Sequence, residues 1–303
     1  MNPDWNETAA LTLERSRVAD FLALTKPGLS LFSVATAVGG AYLAADGMLH
    51  LVPLLTTLFG TLFAAAGAVA LNQYRERGPD SLMQRTANRP MAEGRIRPMA
   101  GLSFGLVLAL SGVAILSLAG NILAGSIALG TLIVYLLLYT PLKRTTPYAT
   151  IVGAIAGALP PMIGWAVVRE DLAPQAWTLF AILFVWQMPH FYSLALMYRD
   201  DYARGGYQIL TVLDPTGRRT VRHILSYCTV LLPVSLLPSV IGFMGHVYAV
   251  GILILSLVFL LVGMRLYQKR SLRNARALFL ASLAYLPVVS LLITADRLLT
   301  PLP

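Results

Sequence analysis

Three oxygen-bearing side chains recur every four residues near the end of a long apolar run. Asn72, Glu76 and Asp80 stand at positions i, i+4 and i+8, a spacing that advances only about 40° per step around an α-helix. Two carboxylates and an amide offer hard oxygen ligands, which suit Mg²⁺ better than a soft metal. Because Mg²⁺ in proteins commonly joins carboxylates to substrate phosphates, this face predicts a magnesium-dependent phosphate site.

Basic side chains follow the acidic ones in the same segment, NQYRERGPDSLMQRTANRP at residues 72–90. The guanidinium groups of Arg85 and Arg89 can each bind phosphate oxygens through paired hydrogen bonds. Acid, amide and arginine together predict a diphosphate site. A second interpretation is that the carboxylates only form ion pairs with arginines on a solvated loop. The position of Asn72 at the membrane edge argues against it, because polar groups there are costly and indicate function.

The Gly78-Pro79 step affects this geometry. Proline lacks a backbone donor and clashes with the carbonyl four residues earlier, so we expect the helix to bend or end here. Asn72 and Glu76 then share one helical face, whereas Asp80 starts a new segment.

The elements that must position these side chains are membrane helices. The chain has 303 residues, of which 57% are hydrophobic and 12% charged, and its mean hydropathy is +0.69. These values lie outside the range of a soluble globular domain. Strand-like alternation is absent, and an open sheet would leave backbone polar groups unsatisfied in lipid. The predicted fold class is therefore an all-α polytopic bundle. Nine apolar runs are long enough to cross about 30 Å of hydrocarbon, at residues 28–45, 51–72, 99–118, 122–140, 148–168, 176–197, 223–243, 247–266 and 277–295.

Positive charges predict the orientation of the bundle. Of the 23 Lys and Arg residues, only Arg169 and Arg297 fall outside the N-terminal segment and the loops after spans two, four, six and eight. Because basic loops stay cytoplasmic, we expect the N-terminus inside, the C-terminus outside and the site on the cytoplasmic side of a cell (inner) membrane. The charges are scattered among loops that flank the lipid bilayer, which argues against a nucleic-acid partner.

We expect three parts along the chain. Residues 1–20 form a mobile cytoplasmic tail without the apolar core of a signal peptide. Residues 21–297 form a single transmembrane domain, and residues 298–303 a short C-terminal tail. Cys228 is the only cysteine, which excludes an intramolecular disulfide or a cysteine metal site, so we expect it to pack.

A second charged loop follows the sixth span. This loop again places acidic residues beside basic ones, and it is predicted to lie on the cytoplasmic side of the membrane. The loop repeats the character of residues 72–90 four helices later, and an even number of helices preserves direction through the membrane. We therefore expect the two loops to face each other. The residues concerned are Arg199, Asp200, Asp201, Tyr202 and Arg204.

Three segments together resemble the UbiA superfamily of intramembrane prenyltransferases. They are NxxxE, then D, then MxRTxxRP within residues 72–90; YTPLKRTTPYATIVGAIAGALPPMIGW at 139–165; and WQMPHFYSLALMYRDDYARGGYQIL at 186–210. The proline pair, the WQxPHF…DDY segment and LTKPG at 24–28 are similar to the branch that farnesylates protoheme IX rather than to the quinone branches. The resemblance extends from about residue 21 to 295. One departure is Glu76, where the superfamily usually has aspartate.

The resemblance implies a UbiA-like bundle that transfers the farnesyl group of farnesyl diphosphate to a vinyl group of heme b, giving heme O for heme-copper oxidase assembly. It implies Mg²⁺ as cofactor, with catalytic and metal-binding roles for Asn72, Glu76, Asp80, Asp200 and Asp201. The diphosphate-binding residues would be Lys26, Arg85, Arg89, Lys143, Arg144 and Arg199. A heme or prenyl pocket would include Trp165, Trp186, His190, Phe191 and Tyr202.

Several of these residues have a second interpretation. Lys143 also suits an ordinary positive-inside anchor, and His190 a hydrogen bond to a neighbouring helix. The aromatic residues also suit packing or interface positions. Pro160-Pro161 breaks helical hydrogen bonding at membrane depth, where irregular backbone is tolerated only if it is buried in protein or lines a cavity. A cavity for a prenyl chain and a simple packing kink both fit that break.

Three other functions stay open. One is a UbiA-type enzyme that prenylates a quinone precursor or a chlorophyll-like ring. Another is an anionic solute transporter, which would place its site near the bilayer midplane. The third is a non-catalytic assembly partner of a respiratory oxidase. For the enzyme itself, a heme-modifying enzyme or an oxidase assembly protein is a candidate partner.

Overall fold

The computed structural model of the protein describes residues 17–46 and 48–299. Across these two ranges the chain is helical without any strand, and nine spans are long and apolar enough to cross a membrane. The predicted all-helical class and the number of candidate spans are therefore confirmed for this part of the chain. The helices are α1 (Arg17–Leu24), α2 (Pro27–Ala44), α3 (Leu51–Leu82), α4 (Pro98–Gly120), α5 (Ile122–Leu142), α6 (Ala149–Ala158), α7 (Pro160–Arg169), α8 (Pro174–Met197), α9 (Arg199–Arg204), α10 (Leu210–Leu213), α11 (Arg218–Val240), α12 (His246–Gln268) and α13 (Leu272–Leu299). Helices α6 and α7 together make the fifth span.

The second span is longer than predicted and does not stop at the Gly78-Pro79 step. Helix α3 passes through Pro79 and ends at Leu82, so the expectation that the helix ends before Asp80 is wrong. Contacts beyond the proline hold the last turn in place: Ser81 Oγ donates to the Gly78 carbonyl at 2.7 Å. The apolar run ends at Asn72 because the next turns are polar. The helix continues, with Glu76 and Asp80 buried in protein and Arg75 and Arg77 exposed.

The predicted terminal tails lie mostly beyond the residues that the structure describes. Residues 1–16 and 300–303 fall outside it. Residues 17–20 belong to α1, where the buried Asp20 accepts a hydrogen bond from Arg95 Nε at 3.0 Å. Asp20 therefore connects this turn to the loop after α3.

Small residues allow the helices nearest the site to pack closely. A Cβ atom on Gly112 of α4 would overlap the backbone of Ala64 in α3, and one on Gly164 of α7 would overlap the Ala37 carbonyl of α2. Helix association in membranes depends on such close approach, because lipid tails are as apolar as the side chains they replace. The pairs α3–α4 and α2–α7 are accordingly among the most extensive helix contacts.

The C-terminal helices enclose a buried polar network. The Tyr285 hydroxyl lies 2.9 Å from Ser235 Oγ and 2.8 Å from Ser256 Oγ, and Tyr248 donates to the Ser235 carbonyl at 2.9 Å. These bonds join α11, α12 and α13. Cys228 is fully buried beside them and close to Gly263, which confirms that it packs.

The loops that follow α3, α5 and α8 meet at one end of the bundle. The Gln84 amide donates to Asp201 at 3.1 Å, and the Gln208 amide donates to the Lys143 carbonyl at 2.8 Å. The expectation that the two charged loops face each other is confirmed by the first of these bonds. The opposite end contains Arg169, which donates to the Ala44 carbonyl at 2.6 Å.

Candidate active site

A cavity of about 420 Å³ lies between α2, α3, α5, the α6–α7 span and α8. Small and apolar side chains form much of its wall, including Ala68, Leu132 and Ile163. Its charged and amide groups come from helix ends and loops at the end of the bundle where the charged loops meet. These residues are Lys26, Asn72, Glu76, Asp80, Arg85, Arg89 and Lys143. The cavity is thus apolar along most of its length and charged at one end.

The last turns of α3 place three oxygen-bearing side chains on the cavity wall. Asn72, Glu76 and Asp80 are 3%, 6% and 1% exposed, and all three line the cavity because the helix stays continuous through Pro79. Asn72 Nδ2 donates to Glu76 Oε2 at 2.7 Å, and Thr140 Oγ1 donates to Asn72 Oδ1 at 2.9 Å. Asn72 therefore fixes the orientation of the Glu76 carboxylate.

Two cations lie directly on the carboxylates. Lys143 Nζ is 2.5 Å from Glu76 Oε1, and Arg89 Nη1 is 2.5 Å from Asp80 Oδ2. Lys143 is buried, whereas Arg144, the next residue, is exposed. Of these two predicted diphosphate residues, only Lys143 lines the cavity.

Arg85 reaches the cavity from the loop after α3. Its guanidinium carbon lies 4.5 Å from the Tyr202 ring centre and 5.1 Å from that of Tyr198. Its Nε is buried and has no hydrogen-bond partner among the residues that the structure describes. Cation–π contacts hold the guanidinium in place without using its N–H donors, so a donor remains free for an anionic ligand.

Lys26 lies at the same end of the cavity, immediately before α2. Its backbone is in the left-handed region at φ 41°, a conformation that costs free energy for a non-glycine residue and tends to occur at functional sites. Burial, together with the positive charge of Arg89, lowers the pKa of Lys26 to about 7. Its ammonium group therefore loses its proton easily near neutral pH unless an anion binds beside it.

The second charged loop supports the first one instead of lining the cavity with its acids. Asp201 accepts hydrogen bonds from the backbone amides of Gln84 and Arg85, at 3.1 and 3.4 Å, and forms an ion pair with Arg204. Desolvation pulls the pKa of Asp201 upward, but these hydrogen bonds outweigh it and hold the pKa below its ordinary value. Asp200 is exposed.

Arg199 donates to the Pro215 carbonyl at 3.0 Å. Neither it nor Asp200 nor Asp201 lines the cavity, in contrast to the sequence-based expectation. Asp201 accepts from backbone amides just after α3, Arg199 donates to a backbone carbonyl, and Asp200 is exposed. The loop contributes Tyr202, Tyr207 and Ile209 to the cavity.

Tyrosine residues that the sequence motifs did not single out surround the charged end. Tyr135, Tyr139 and Tyr207 line the cavity, and the Lys143 ammonium lies 4.6 Å from the Tyr139 ring centre. Burial and the nearby charges of Glu76 and Asp80 raise the pKa of Tyr207, so its hydroxyl stays a neutral donor. Tyr135 and Tyr139 lie one turn apart near the end of α5. Their spacing beside Lys143 is the sequence pattern from which their place at the charged end could have been predicted.

The predicted aromatic pocket divides into two groups. His190, Phe191 and Tyr202 line the cavity. Trp165 does not, because its indole Nε1 donates to Asp171 at 3.0 Å at the opposite end of the bundle. Trp186 also lies behind the wall, where its Nε1 donates to the Ser282 carbonyl at 3.0 Å. Both tryptophans are buried, and neither is among the residues that line this cavity.

The proline pair in the fifth span produces a break that faces the cavity. Helix α6 ends at Ala158 and α7 begins at Pro160, so the expected interruption is confirmed. Pro160 lines the cavity, whereas the backbone of Pro161 packs against Gly40 of α2. One proline therefore borders the cavity, and the other lies where α7 packs closely against α2.

Comparison with known proteins identifies the family. The profile of the UbiA prenyltransferase family matches residues 33–286. The chain belongs to the UbiA prenyltransferase family. A protein of Solibacter usitatus named protoheme IX farnesyltransferase is 45% identical over 287 residues, which cover 92% of this chain and 98% of that one. Another protein of that name, from Koribacter versatilis, is 39% identical over 96% of this chain and 98% of its own.

Solved structures of low sequence identity share the UbiA fold. A digeranylgeranylglyceryl phosphate synthase superposes with a TM-score of 0.78 at 16% identity, covering 92% of this chain and 98% of that one. A UbiA homologue from Archaeoglobus fulgidus bound to GPP and Mg²⁺ gives a TM-score of 0.67 at 14% identity, covering 91% of this chain and 99% of that one. The bundle described above is therefore a UbiA fold in an integral multi-pass membrane protein.

The charged end of this UbiA-family cavity fits a divalent cation. Asp80 Oδ1 is buried and has no hydrogen-bond partner among the described residues, and the Glu76 and Asn72 oxygens lie on the same helical face. No group of three His, Cys, Asp or Glu side chains in residues 17–46 and 48–299 is arranged to hold a metal by itself. That sparse donor set suits Mg²⁺, which keeps several waters and takes phosphate oxygens as ligands.

Proposed function

We propose that this UbiA-family enzyme transfers the farnesyl group of farnesyl diphosphate to a vinyl group of heme b, giving heme O and diphosphate. The observation that carries the proposal is an apolar cavity whose one charged end combines Glu76 and Asp80 with four cations. The apolar part suits a long prenyl chain, and the charged end suits the diphosphate of that substrate. The name shared by relatives at 45% and 39% identity supports heme as the acceptor.

The cations of this site have the reach to hold the departing diphosphate. Arg85 keeps a free buried Nε donor, and Arg89 and Lys143 lie against the carboxylates at the cavity end. Such preorganised charges stabilise a transition state in which negative charge builds on the leaving group. They orient the diphosphate so that the C–O bond breaks toward the apolar part of the cavity.

Asn72, Glu76 and Asp80 would hold Mg²⁺ at this end. When bound, Mg²⁺ would supply further charge neutralisation to the diphosphate. The residues themselves prepare that position: Asn72 orients Glu76 at 2.7 Å, and Arg89 limits Asp80 to one free oxygen. The binding of Mg²⁺ with GPP by the Archaeoglobus fulgidus homologue supports this assignment.

The apolar wall controls what reaches the allylic carbon after the diphosphate leaves. A vinyl group of the porphyrin attacks this carbon, and the new carbon–carbon bond leaves a carbocation beside the ring. Water then adds to that carbocation and gives up one proton to the released diphosphate, which leaves the hydroxyl of heme O. Small and aliphatic residues such as Ala68 and Leu132 line the wall and exclude water from the reacting centre until the carbon–carbon bond forms. No serine or cysteine nucleophile is required.

The same proposal includes the location and partners of the enzyme. We propose that the charged end faces the cytoplasmic side of the cell (inner) membrane, with the N-terminus inside and the C-terminus outside. The basic residues in the loops after α3, α5 and α8 support this orientation, because basic loops stay cytoplasmic. Heme O released from the cavity would pass to a heme-modifying enzyme or to an oxidase assembly protein. The concentration of charge at one end, away from the middle of the bundle, disfavours transport of an anionic solute.

Incubation of membranes that contain the protein with farnesyl diphosphate and Mg²⁺ tests the acceptor. One sample receives heme b, and a matched sample receives 4-hydroxybenzoate. We expect a farnesylated product by mass spectrometry only with heme b. A product with only 4-hydroxybenzoate would refute heme as the acceptor and favour a quinone-type enzyme of the same fold.

A further inference from the structure

One side of the cavity carries a histidine whose protonation is fixed by a neighbouring helix. His190 lies on α8 in the cavity wall, and its Nδ1 is 2.8 Å from Ser282 Oγ on α13. Ser282 is fully buried, and its Oγ donates to the Phe279 carbonyl at 2.5 Å. The hydroxyl of Ser282 therefore contacts two polar atoms with a single hydrogen to share.

The identity of those two atoms determines the tautomer of His190. A carbonyl oxygen only accepts hydrogen bonds, so the Ser282 hydrogen is used by Phe279. Ser282 Oγ must then accept from His190, which places the imidazole proton on Nδ1. His190 forms no ion pair among the described residues, and a lone charge in an apolar wall is costly. The neutral ring therefore keeps an unprotonated lone pair on Nε2.

Aromatic side chains also fix the plane of this ring. Trp186 lies 5.3 Å from the His190 ring centre at an angle of 22°, and Phe279 lies 4.9 Å away at 30°. Trp186 is held in turn by its bond to the Ser282 carbonyl. Nε2 makes no hydrogen bond within the part of the chain that the structure describes. The protein thus holds in place a ring nitrogen that has no protein partner.

This inference rests on the proposed function, which supplies an iron porphyrin as the second substrate. We propose that His190 Nε2 binds the heme iron as an axial ligand, and that Ser282 is a positioning residue that keeps the ligating tautomer. Imidazole is a common axial ligand of heme iron, and a metal-binding histidine usually donates its other N–H to a fixed acceptor. Coordination uses the Nε2 lone pair only, so His190 releases no proton and no redox partner is needed.

Iron coordination would give the cavity a means of orienting a flat, nearly symmetric acceptor. His190, Phe191 and Leu194 line the cavity from α8, and Asn72 and Glu76 line it from α3. A porphyrin anchored through its iron on α8 presents its edge to the same cavity that receives the prenyl diphosphate. The histidine thereby selects an iron porphyrin over other planar acceptors.

Titration of the purified protein in lipid nanodiscs with ferric heme, without farnesyl diphosphate, tests the inference. The Soret band and the electron paramagnetic resonance spectrum report the axial ligand. We expect a histidine-ligated spectrum in the wild type, its loss in His190→Ala and its return when imidazole is added to that variant. Ser282→Ala should weaken heme binding by about 10- to 100-fold, as expected for the loss of an outer partner of a metal ligand.

Two controls separate iron ligation from general packing. His223 is exposed on α11, so His223→Ala should leave the heme spectrum unchanged. Iron-free protoporphyrin IX should bind the wild type and His190→Ala equally. A heme spectrum that is the same in wild type and His190→Ala overturns the inference, as does an equal loss of affinity for heme and for the iron-free ring. Heme affinity unchanged in Ser282→Ala overturns the positioning role of Ser282.

The same samples distinguish this inference from the proposed function. After addition of farnesyl diphosphate and Mg²⁺, mass spectrometry shows whether the wild type makes heme O. Wild-type protein that makes heme O without a His190-dependent spectrum overturns iron ligation alone. Wild-type protein that binds heme through His190 but yields no heme O overturns the proposed function alone.

Discussion

The carboxylate of Asp201 accepts a hydrogen bond from the backbone amide of Gln84 at 3.1 Å, across 117 positions of sequence. The carboxylate accepts a second hydrogen bond from the Arg85 amide at 3.4 Å. The second acidic loop therefore holds the first loop in position, and Arg85 enters the cavity from the segment that Asp201 clamps. Asp201 does not line the cavity itself, but it contacts the backbone of Arg85, which does.

Replacement of Asp201 should weaken binding of the prenyl diphosphate. Asp201→Ala leaves two backbone donors and Arg204 without their acceptor, and losing hydrogen bonds to a charged group costs roughly 1.5–3 kcal/mol. We expect KM for farnesyl diphosphate to rise about 10- to 100-fold, measured in membranes with matched protein amounts. Asp200→Ala is the control because Asp200 is exposed; equal effects of both substitutions would contradict the clamp.

Shortening Glu76 should impair catalysis even though the carboxylate is kept. Glu76 contacts Asn72 at 2.7 Å with one oxygen and Lys143 at 2.5 Å with the other, and aspartate on the same helical turn cannot reach both. We expect Glu76→Asp to lower kcat/KM by about tenfold, in line with the loss of one charged hydrogen bond. Glu76→Gln keeps the length but loses the charge and should cost more. Full activity of Glu76→Asp in an initial-rate assay would show that the side-chain length is unimportant.

The ammonium of Lys26 should make substrate binding pH-dependent. Its pKa of about 7 means that the free enzyme carries this charge below pH 7 and loses it above. A bound diphosphate favours the charged form, so binding above pH 7 takes up a proton and KM for farnesyl diphosphate should rise with pH. Lys26→Arg stays protonated and should flatten the rise between pH 7 and 9. A pH profile of KM that is the same in wild type and Lys26→Arg would argue against this role.

Close packing of α2 against α7 should be essential for accumulation of the protein. Gly164→Leu places a side chain where the Ala37 carbonyl lies, whereas Gly130 has open space around it. We expect Gly164→Leu to prevent accumulation in membranes and Gly130→Leu to be tolerated, as judged by immunoblotting and detergent size-exclusion chromatography. Normal yield and elution of Gly164→Leu would mean that α2 and α7 do not need this close contact.

The sequence predicted the helical class, the candidate spans and the polar face of α3 because each depends on a local pattern. Hydropathy marks spans by length, and the four-residue spacing of Asn72, Glu76 and Asp80 marks a helical face. The expected end of the helix at Pro79 was wrong because helix continuation there depends on contacts made after the proline. Local rules describe the tendency of proline to end a helix but not the contacts that override it.

The direction of individual side chains could not be read from the motifs. Asp201 and Glu76 are both acidic residues in charged segments. Asp201 faces backbone amides, whereas Glu76 faces the cavity. Trp186 and His190 lie one turn apart on α8, yet only His190 lines the cavity. Ser282 carries no motif at all, since its relation to His190 arises from packing of α8 against α13, 92 positions apart.

Mass spectrometry of hemes extracted from membranes tests most directly whether the charged end of the cavity carries the chemistry. Asp80 has one oxygen paired with Arg89 and one buried oxygen without a hydrogen-bond partner among the described residues, so Asp80→Ala removes the position proposed for Mg²⁺ from the cavity. Membranes with the wild type should contain heme O when supplied with farnesyl diphosphate, heme b and Mg²⁺, and should lose it when the metal is chelated. Membranes with an equal amount of Asp80→Ala should contain heme b only. Wild-type levels of heme O in the Asp80→Ala membranes would contradict the assignment of this end of the cavity as the diphosphate site.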